Sequence, residues 1–297
     1  MPGTQQPYVA ECNLTPVASP FERRQFLKLG ATVLSAGMLP NFASFASATS
    51  SPQVGLQLYT LRDWMAASVP ATLKMVSAVG YSEVEFAGYF DHSASEIRAI
   101  LNGEGLRSPS AHFALDKMIS DTSAILDAAQ EVGHQYIVIP YLSKEQRGTH
   151  IDDYKKLAQQ LNEIGEACKK AGIQLAYHNH DFEFERRQDQ LPFDVLLDET
   201  EPGLVCMELD LYWTVKAGQD PMTYFNLHPG RFKLWHVKDM DANGEFADVG
   251  TGNINFEAIF AQAEKAGVEH FYVERDRTDN KLQTIQQGFL GVSQLLG

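Results

Sequence analysis

Positive charge is what this chain lacks most. Its 297 residues carry 24 Lys and Arg against 38 Asp and Glu, a formal net charge of −14. A surface of that sign excludes a nucleic-acid partner, because phosphate binding needs a basic face. Cysteine is nearly as scarce, with three in the chain. Cys168 falls on an expected helix and Cys206 in an expected strand, so both read as small buried apolar residues, and the sequence requires no disulfide. No GxGxxG follows the first expected strand and no P-loop is present, which argues against an open, doubly wound nucleotide-binding sheet. A membrane-spanning run is missing as well. The apolar segment at residues 29–45 is too short, and too broken by Gly, Pro, Ser and Asn, to cross a bilayer as a stable helix.

That segment has another meaning. It follows Phe21-Glu22-Arg23-Arg24-Gln25-Phe26-Leu27-Lys28, a twin-arginine pattern, and leads to Ala46-Ser47-Ala48, an A-x-A cleavage site. Together they predict a twin-arginine export signal over residues 1–48 and a mature periplasmic chain over residues 49–297, exported already folded. Glu22 departs from the usual Ser or Thr before the arginine pair. The signal holds Arg23, Arg24 and Lys28 against Glu11 and Glu22, so the mature part carries −15. No stable membrane insertion is expected after cleavage, and a homo-oligomer is compatible with the sequence.

In the mature part, apolar strands are expected at residues 54–62, 83–89, 108–114, 135–141, 173–180, 204–213, 232–238 and 270–275. Helical patterns follow at 70–79, 93–102, 121–131, 151–170, 193–198, 221–227, 256–265 and 280–296. Most stop at Gly or Pro, as at Gly80, Gly133, Gly172 and Gly267. Alternating strands and helices predict a parallel sheet, and eight such units predict a closed (β/α)8 TIM barrel in a single domain.

The stretch LAYHNHDFEF at 175–184 organises the rest. An apolar strand ends there in two imidazoles and two carboxylates, and in an extended strand His178 and His180 share a face. Sites in parallel α/β folds are built at the carboxyl ends of strands. The other expected strands end alike. Glu85 lies on the second, His112 on the third, Glu208 and Asp210 on the sixth, His236, Lys238 and Asp239 on the seventh, and Glu274 and Arg275 on the eighth. His178, Asp210, His236 and Glu274 come one each from four successive strands, which can converge on one ion. Two nitrogens and two carboxylates suit Mn, Co, Zn or Fe better than Mg or Ca. Taken singly, either histidine also reads as a hydrogen-bonded core residue, and Glu274 with Arg275 as a surface ion pair. Asp210 is hardest to explain away, since an unpaired carboxylate inside an apolar run is costly.

Six segments then carry a family resemblance: GLQLYTLRD (55–63), LAYHNHDFEF (175–184), LDLYW (209–213), LWHVKD (234–239), VGTGNINF (249–256) and YVERD (272–276). They resemble the sugar phosphate isomerase/epimerase-like family, the xylose isomerase-like barrels that also include AP endonuclease IV. The resemblance covers nearly all of the mature chain. It implies one divalent metal ion held by His178, Asp210, His236 and Glu274, and proton abstraction next to a carbonyl through an enediolate. Epimerases of the family typically carry Glu where His178 stands, so a symmetric two-glutamate epimerisation is in doubt. Trp213 stands where many members have a histidine.

For catalysis the candidates are Glu274 as base, His180 as a second acid/base, and Lys238 as the cation for an oxyanion. Lys238 also reads as a salt bridge to Glu208 or Asp239. Candidate substrate contacts are Glu183, Tyr59, His112, Trp213 and Arg275. Phe86, Tyr141 and Trp235 are further aromatic side chains for a sugar wall, and each also reads as core. The expected partner is an unphosphorylated sugar or a glycoside. Two other readings stay open: a lyase that eliminates the aglycone of a 3-keto-glycoside, and a sugar-binding barrel without catalysis. An endonuclease, which would need a basic surface, is excluded by the charge.

Overall fold

The computed structural model describes residues 53–296. The expected export signal, residues 1–48, lies outside the described residues. Eight parallel strands follow in order: β1 (Gly55–Gln57), β2 (Glu83–Phe86), β3 (Arg107–His112), β4 (Tyr136–Ile139), β5 (Gln174–His178), β6 (Val205–Asp210), β7 (Leu234–Val237) and β8 (His270–Val273). Each pairs with its neighbour in sequence, and β1 pairs with both β2 and β8, so the sheet closes into a TIM barrel.

Helices cover the outside of the sheet because each has one apolar stripe. The longest, Ile151–Lys170, buries Ile151, Tyr154, Leu157, Ala158, Leu161, Ile164 and Cys168, a spacing of three and four residues that lines one face. Helix Ala94–Glu104 begins in a capping box between Ser93 and Glu96 and ends at Gly105 in the left-handed region, with φ 67°. Cys168 and Cys206 are both buried and unpaired. Among the described residues no helix is long and apolar enough to cross a membrane.

The strands are shorter than their apolar patterns suggest, and side chains end two of them. Gln57 accepts a hydrogen bond from the Tyr59 amide (2.9 Å), turning the chain into the short helix Leu58–Leu61. Asp210 accepts one from the Trp213 amide (2.8 Å) and caps helix Leu211–Lys216, so Trp213 stands on a helix and not in a strand. Strand β5 likewise stops at His178, and His180 sits in the loop beyond it. A small hairpin that the pattern did not suggest pairs Asp239–Met240 with Phe246–Ala247. It is pinned by Asp239, whose carboxylate accepts from the amides of Gly250 (2.9 Å), Gly252 (2.8 Å) and Ile254 (3.3 Å). A side chain on residue 252 would run into that carboxylate, which explains the glycine.

The barrel interior is layered by the two-residue period of its strands. Tyr136, Val138, Ala176, Cys206, Leu234 and Tyr272 form an apolar plug. Two residues onward, Ala176 gives way to His178, Cys206 to Glu208, Leu234 to His236 and Tyr272 to Glu274. One further step brings Asp210 and Lys238. The apolar plug thus gives way to a charged layer at the carboxyl end of the barrel.

His134 shows how neutral polar groups are buried elsewhere in the fold. Its Nδ1 lies 2.6 Å from the Ser108 carbonyl and its Nε2 2.8 Å from the Tyr89 hydroxyl. Burial pulls its pKa from 6.5 down to about 4. In the unfolded chain the imidazole takes up a proton near pH 6.5, and in the folded chain only near pH 4. This group therefore costs nothing above pH 6.5 and removes stability as pH falls from 6.5 to 4, at up to about 1.4 kcal/mol per pH unit. An NMR titration should find its ring neutral at pH 5; a protonated ring at that pH would contradict the assignment.

Candidate metal centre

Four of the residues singled out in sequence meet at the end of the plug. His178 Nε2 lies 3.8 Å and His236 Nδ1 3.9 Å from the same atom, Asp210 Oδ2. Glu274 Oε2 is 2.8 Å from His236 Nδ1. All four side chains are buried. Separations of 3.8–3.9 Å are too long for hydrogen bonds but close to the span of about 3.4 Å between donors around a tetrahedral ion with bonds near 2.1 Å. His178, Asp210 and His236 each offer a ligand atom within 4.8 Å of the others. Asp210 Oδ2 and His236 Nδ1 have ion contacts but no well-directed hydrogen bond. The donor set therefore fits a divalent transition metal.

Protonation supports the fit in part. Burial, with the neighbouring His236 cation, pulls His178 down to about 3, leaving a neutral imidazole with a lone pair to give. Burial raises Asp210 to about 6 even beside Lys238. Glu274 is different: burial opposes its ionisation, yet Lys238 and His236 hold it well below the usual carboxylate range. For His236 the sign reverses, since Glu208 and Glu274 outweigh burial and hold a proton on the ring that an ion would displace.

Lys238 marks where positive charge is wanted. Its Nζ sits 2.9 Å from Asp210 Oδ2, 2.8 Å from Glu274 Oε2 and 2.8 Å from Asp276 Oδ1. The expected bridges to Glu208 or Asp239 are not made. Asp239 is the next residue along the chain and so turns away from Lys238 to pin the hairpin.

Behind the four lies a second charged tier. His112 Nε2 is 2.8 Å from Glu208 Oε2 and 3.0 Å from Glu85 Oε2. His236 Nε2 is 2.8 Å from Glu85 Oε2 and 3.2 Å from Glu208 Oε2. Glu85 also accepts from Gln57 Nε2 (2.6 Å) and from Ser110 Oγ. These separations are hydrogen-bond lengths, and the tier is a hydrogen-bond network in which Glu208 Oε1 and His112 Nδ1 have no partner. Burial opposes a charge on His112, but Glu85 and Glu208 outweigh it and push the imidazole up to about 9. His112 thus binds the network together from within.

The rim over the centre is aromatic. Lys238 Nζ lies 5.8 Å from the Trp213 ring and 5.9 Å from the Phe246 ring. The His180 ring is perpendicular to His178 at 5.0 Å, 5.4 Å from Trp213, and stacked on Phe182 at 5.6 Å. The Arg147 guanidinium covers Phe182 at 3.4 Å. Tyr59, half-buried, lies under the Arg62 guanidinium at 4.3 Å.

Four other expected residues do different work. Glu183 is fully buried, accepts from the Tyr177 hydroxyl (2.6 Å) and the His180 amide (2.8 Å), and so shapes the loop carrying His180. Arg275 does not pair with Glu274; it holds the hairpin through Asp248 (2.6 Å) and the Phe246 carbonyl (2.9 Å). Phe86 and Trp235 belong to the core outside the barrel wall, Trp235 stacked on Phe225 at 5.2 Å, and form no sugar wall. Asp276 was missed; it lies two residues past Glu274, beyond the end of β8.

A closed eight-strand barrel that gathers imidazoles and carboxylates at the carboxyl ends of its strands defines a class of TIM-barrel enzymes with buried metal-site groups. The chain belongs to the xylose isomerase-like TIM barrel family, which it matches over residues 73–290. It is similar to a crystallised sugar phosphate isomerase/epimerase from Parabacteroides distasonis, with 27% identity and a TM-score of 0.72 over 86% of this chain and 98% of that one. It is also 27% identical to an inosose dehydratase of Lacticaseibacillus casei over 146 residues, 43% of this chain and 48% of that protein. The chain thus spans 48% of that relative's length, and 42% of the length of an inosose dehydratase of Clostridium beijerinckii. An IOLI protein crystallised with a bound zinc atom shares the fold, with 15% identity and a TM-score of 0.67 over 82% of this chain and 98% of that one.

Proposed function

We propose that the protein is a divalent-metal-dependent sugar isomerase or epimerase that removes a proton from the carbon next to a carbonyl. The observation that carries this reading is the convergence of His178, Asp210, His236 and Glu274, with Lys238 against them, under an aromatic rim. Those four residues would hold the ion. When bound, it supplies Lewis-acid polarisation of the carbonyl oxygen and a neighbouring hydroxyl.

The chain's own residues do the rest. Glu274 takes the proton, its carboxylate kept ionised by Lys238 and His236. Lys238, its three N–H bonds turned to Asp210, Glu274 and Asp276, supplies positive charge beside the oxygen on which charge develops. Trp213 and Phe246 pack on the apolar face of the sugar and keep water from the reacting carbon. His180 stands beside His178 and returns a proton where a second group is needed. A single carboxylate base suits isomerisation on one face, where the same group returns the proton to the adjacent carbon. The twin-arginine pattern supports a periplasmic site of action, and with it an unphosphorylated sugar.

Likeness to inosose dehydratases favours a second reading in which the same proton abstraction ends in elimination. A leaving group beta to the carbanion then departs, as the aglycone would from a 3-keto-glycoside. Incubation of metal-loaded protein with keto sugars and 3-keto-glycosides in D2O separates the two. Deuterium beside the carbonyl in an intact or isomerised sugar supports the first reading. An unsaturated sugar with free aglycone supports the second, and absence of both exchange and elimination across the panel contradicts proton abstraction.

A further inference from the structure

Glu208 has no role in the proposed chemistry, yet one of its oxygens touches three imidazoles. Its Oε2 lies 2.8 Å from His112 Nε2, 3.2 Å from His236 Nε2 and 3.4 Å from His178 Nδ1. The last two are the rear nitrogens of histidines whose front nitrogens face Asp210. Each ring therefore has one nitrogen toward Asp210 and the other toward Glu208. The two rings do so with opposite atoms, Nε2 forward in His178 and Nδ1 forward in His236.

A neutral imidazole has one N–H and one lone pair, and the partner of the N–H decides which nitrogen is free to ligate. His178 Nδ1 is buried and makes no well-directed hydrogen bond; at 3.4 Å the contact to Glu208 Oε2 stands at the outer limit of one. Glu208 is the carboxylate in ion contact with Nδ1, which favours a proton there and leaves the Nε2 lone pair facing Asp210. His236 receives the same treatment from the rear, at Nε2, from Glu208 together with Glu85. Glu208 is itself fixed from a third side by His112.

We infer that Glu208 is the positioning residue of the metal centre, the one carboxylate that turns both His178 and His236 to present their forward nitrogens to the ion. A rival use of the same atoms is a second ion among Glu85, His112, Glu208 and His236. The geometry disfavours it, because these donors already touch one another at 2.8–3.2 Å and Glu85 is further occupied by Gln57 and Ser110. The inference rests on the metal-dependent reading above.

The test is zinc binding by wild type and Glu208→Gln, measured by competition with a chromophoric chelator, with stoichiometry by mass spectrometry. The expected result is one equivalent in both, bound about 10- to 100-fold more weakly by the variant, with the circular dichroism of the metal-free proteins unchanged. An unchanged affinity overturns the positioning role and leaves the metal reading intact. Two equivalents in wild type and one in the variant overturn it in favour of a direct ligand. Absence of zinc from wild type overturns both. Should the variant not fold, nitrogen-15 histidine spectra of zinc-loaded wild type carry the test. The inference requires ligation through Nε2 of His178 and Nδ1 of His236, and the same nitrogen in both rings contradicts it.

Discussion

Replacing Glu274 by Gln is expected to slow proton exchange next to the substrate carbonyl by about 10²- to 10⁴-fold, the usual worth of a positioned general base. The change keeps the volume of a buried side chain and removes its ability to accept a proton. Lys238 retains Asp210 and Asp276, and His236 retains Glu85 and Glu208, so the surrounding cations are not stranded. The measurement is the rate of deuterium incorporation at saturating metal, with metal content checked in each sample because Glu274 also belongs to the proposed ligand set. His180→Gln serves as comparison and should cost less for single-faced isomerisation. A Glu274→Gln enzyme with full metal content and less than a tenfold loss would remove Glu274 from the role of base.

The second large effect concerns stability. Lys238 is 1% exposed and is the shared counter-charge of Asp210, Glu274 and Asp276. Its replacement by Met leaves three carboxylates facing one another without a counter-charge, and removing one partner of a buried ion pair typically costs about 3–5 kcal/mol. These carboxylates then resist ionisation, so their folded-state pKa values rise above the unfolded ones. The penalty is smallest where the unfolded chain is also protonated, below about pH 4, and grows as pH rises through the folded-state values. A divalent ion returns positive charge to Asp210 and Glu274. Metal should therefore raise the melting temperature of Lys238→Met by more than it raises that of wild type, and more at pH 8 than at pH 5. Equal shifts in the two proteins would mean that the ion does not engage those carboxylates.

The barrel was legible because its pattern is local. Eight apolar runs, each followed by a helical stripe, define the order of elements, and the two-residue period placed Glu208 with Asp210 and His236 with Lys238 on inward faces. The bounds of the strands were less legible, because Gln57 and Asp210 end theirs by capping the next turn, and a capping carboxylate looks the same in sequence as a ligand. The partners of the charged residues were least legible. Glu85 meets His236 across 151 residues, and Glu183 and Arg275 proved to hold loops where exposed substrate contacts were expected. Which carboxylate a buried lysine finds depends on barrel stagger, and only the closed sheet reveals that Lys238 faces Asp276 and not Asp239.

The proposed proton abstraction depends on an ion at His178, Asp210, His236 and Glu274. The most direct measurement is the metal content of the protein, purified without chelator or added metal, by mass spectrometry. Close to one equivalent of Mn, Co, Zn or Fe is expected, with exchange activity lost on chelation and restored by the same metal. A protein that holds no metal and takes up none on titration would contradict it, and would leave the Lys238 cluster as a metal-free ion-pair network in a sugar-binding barrel.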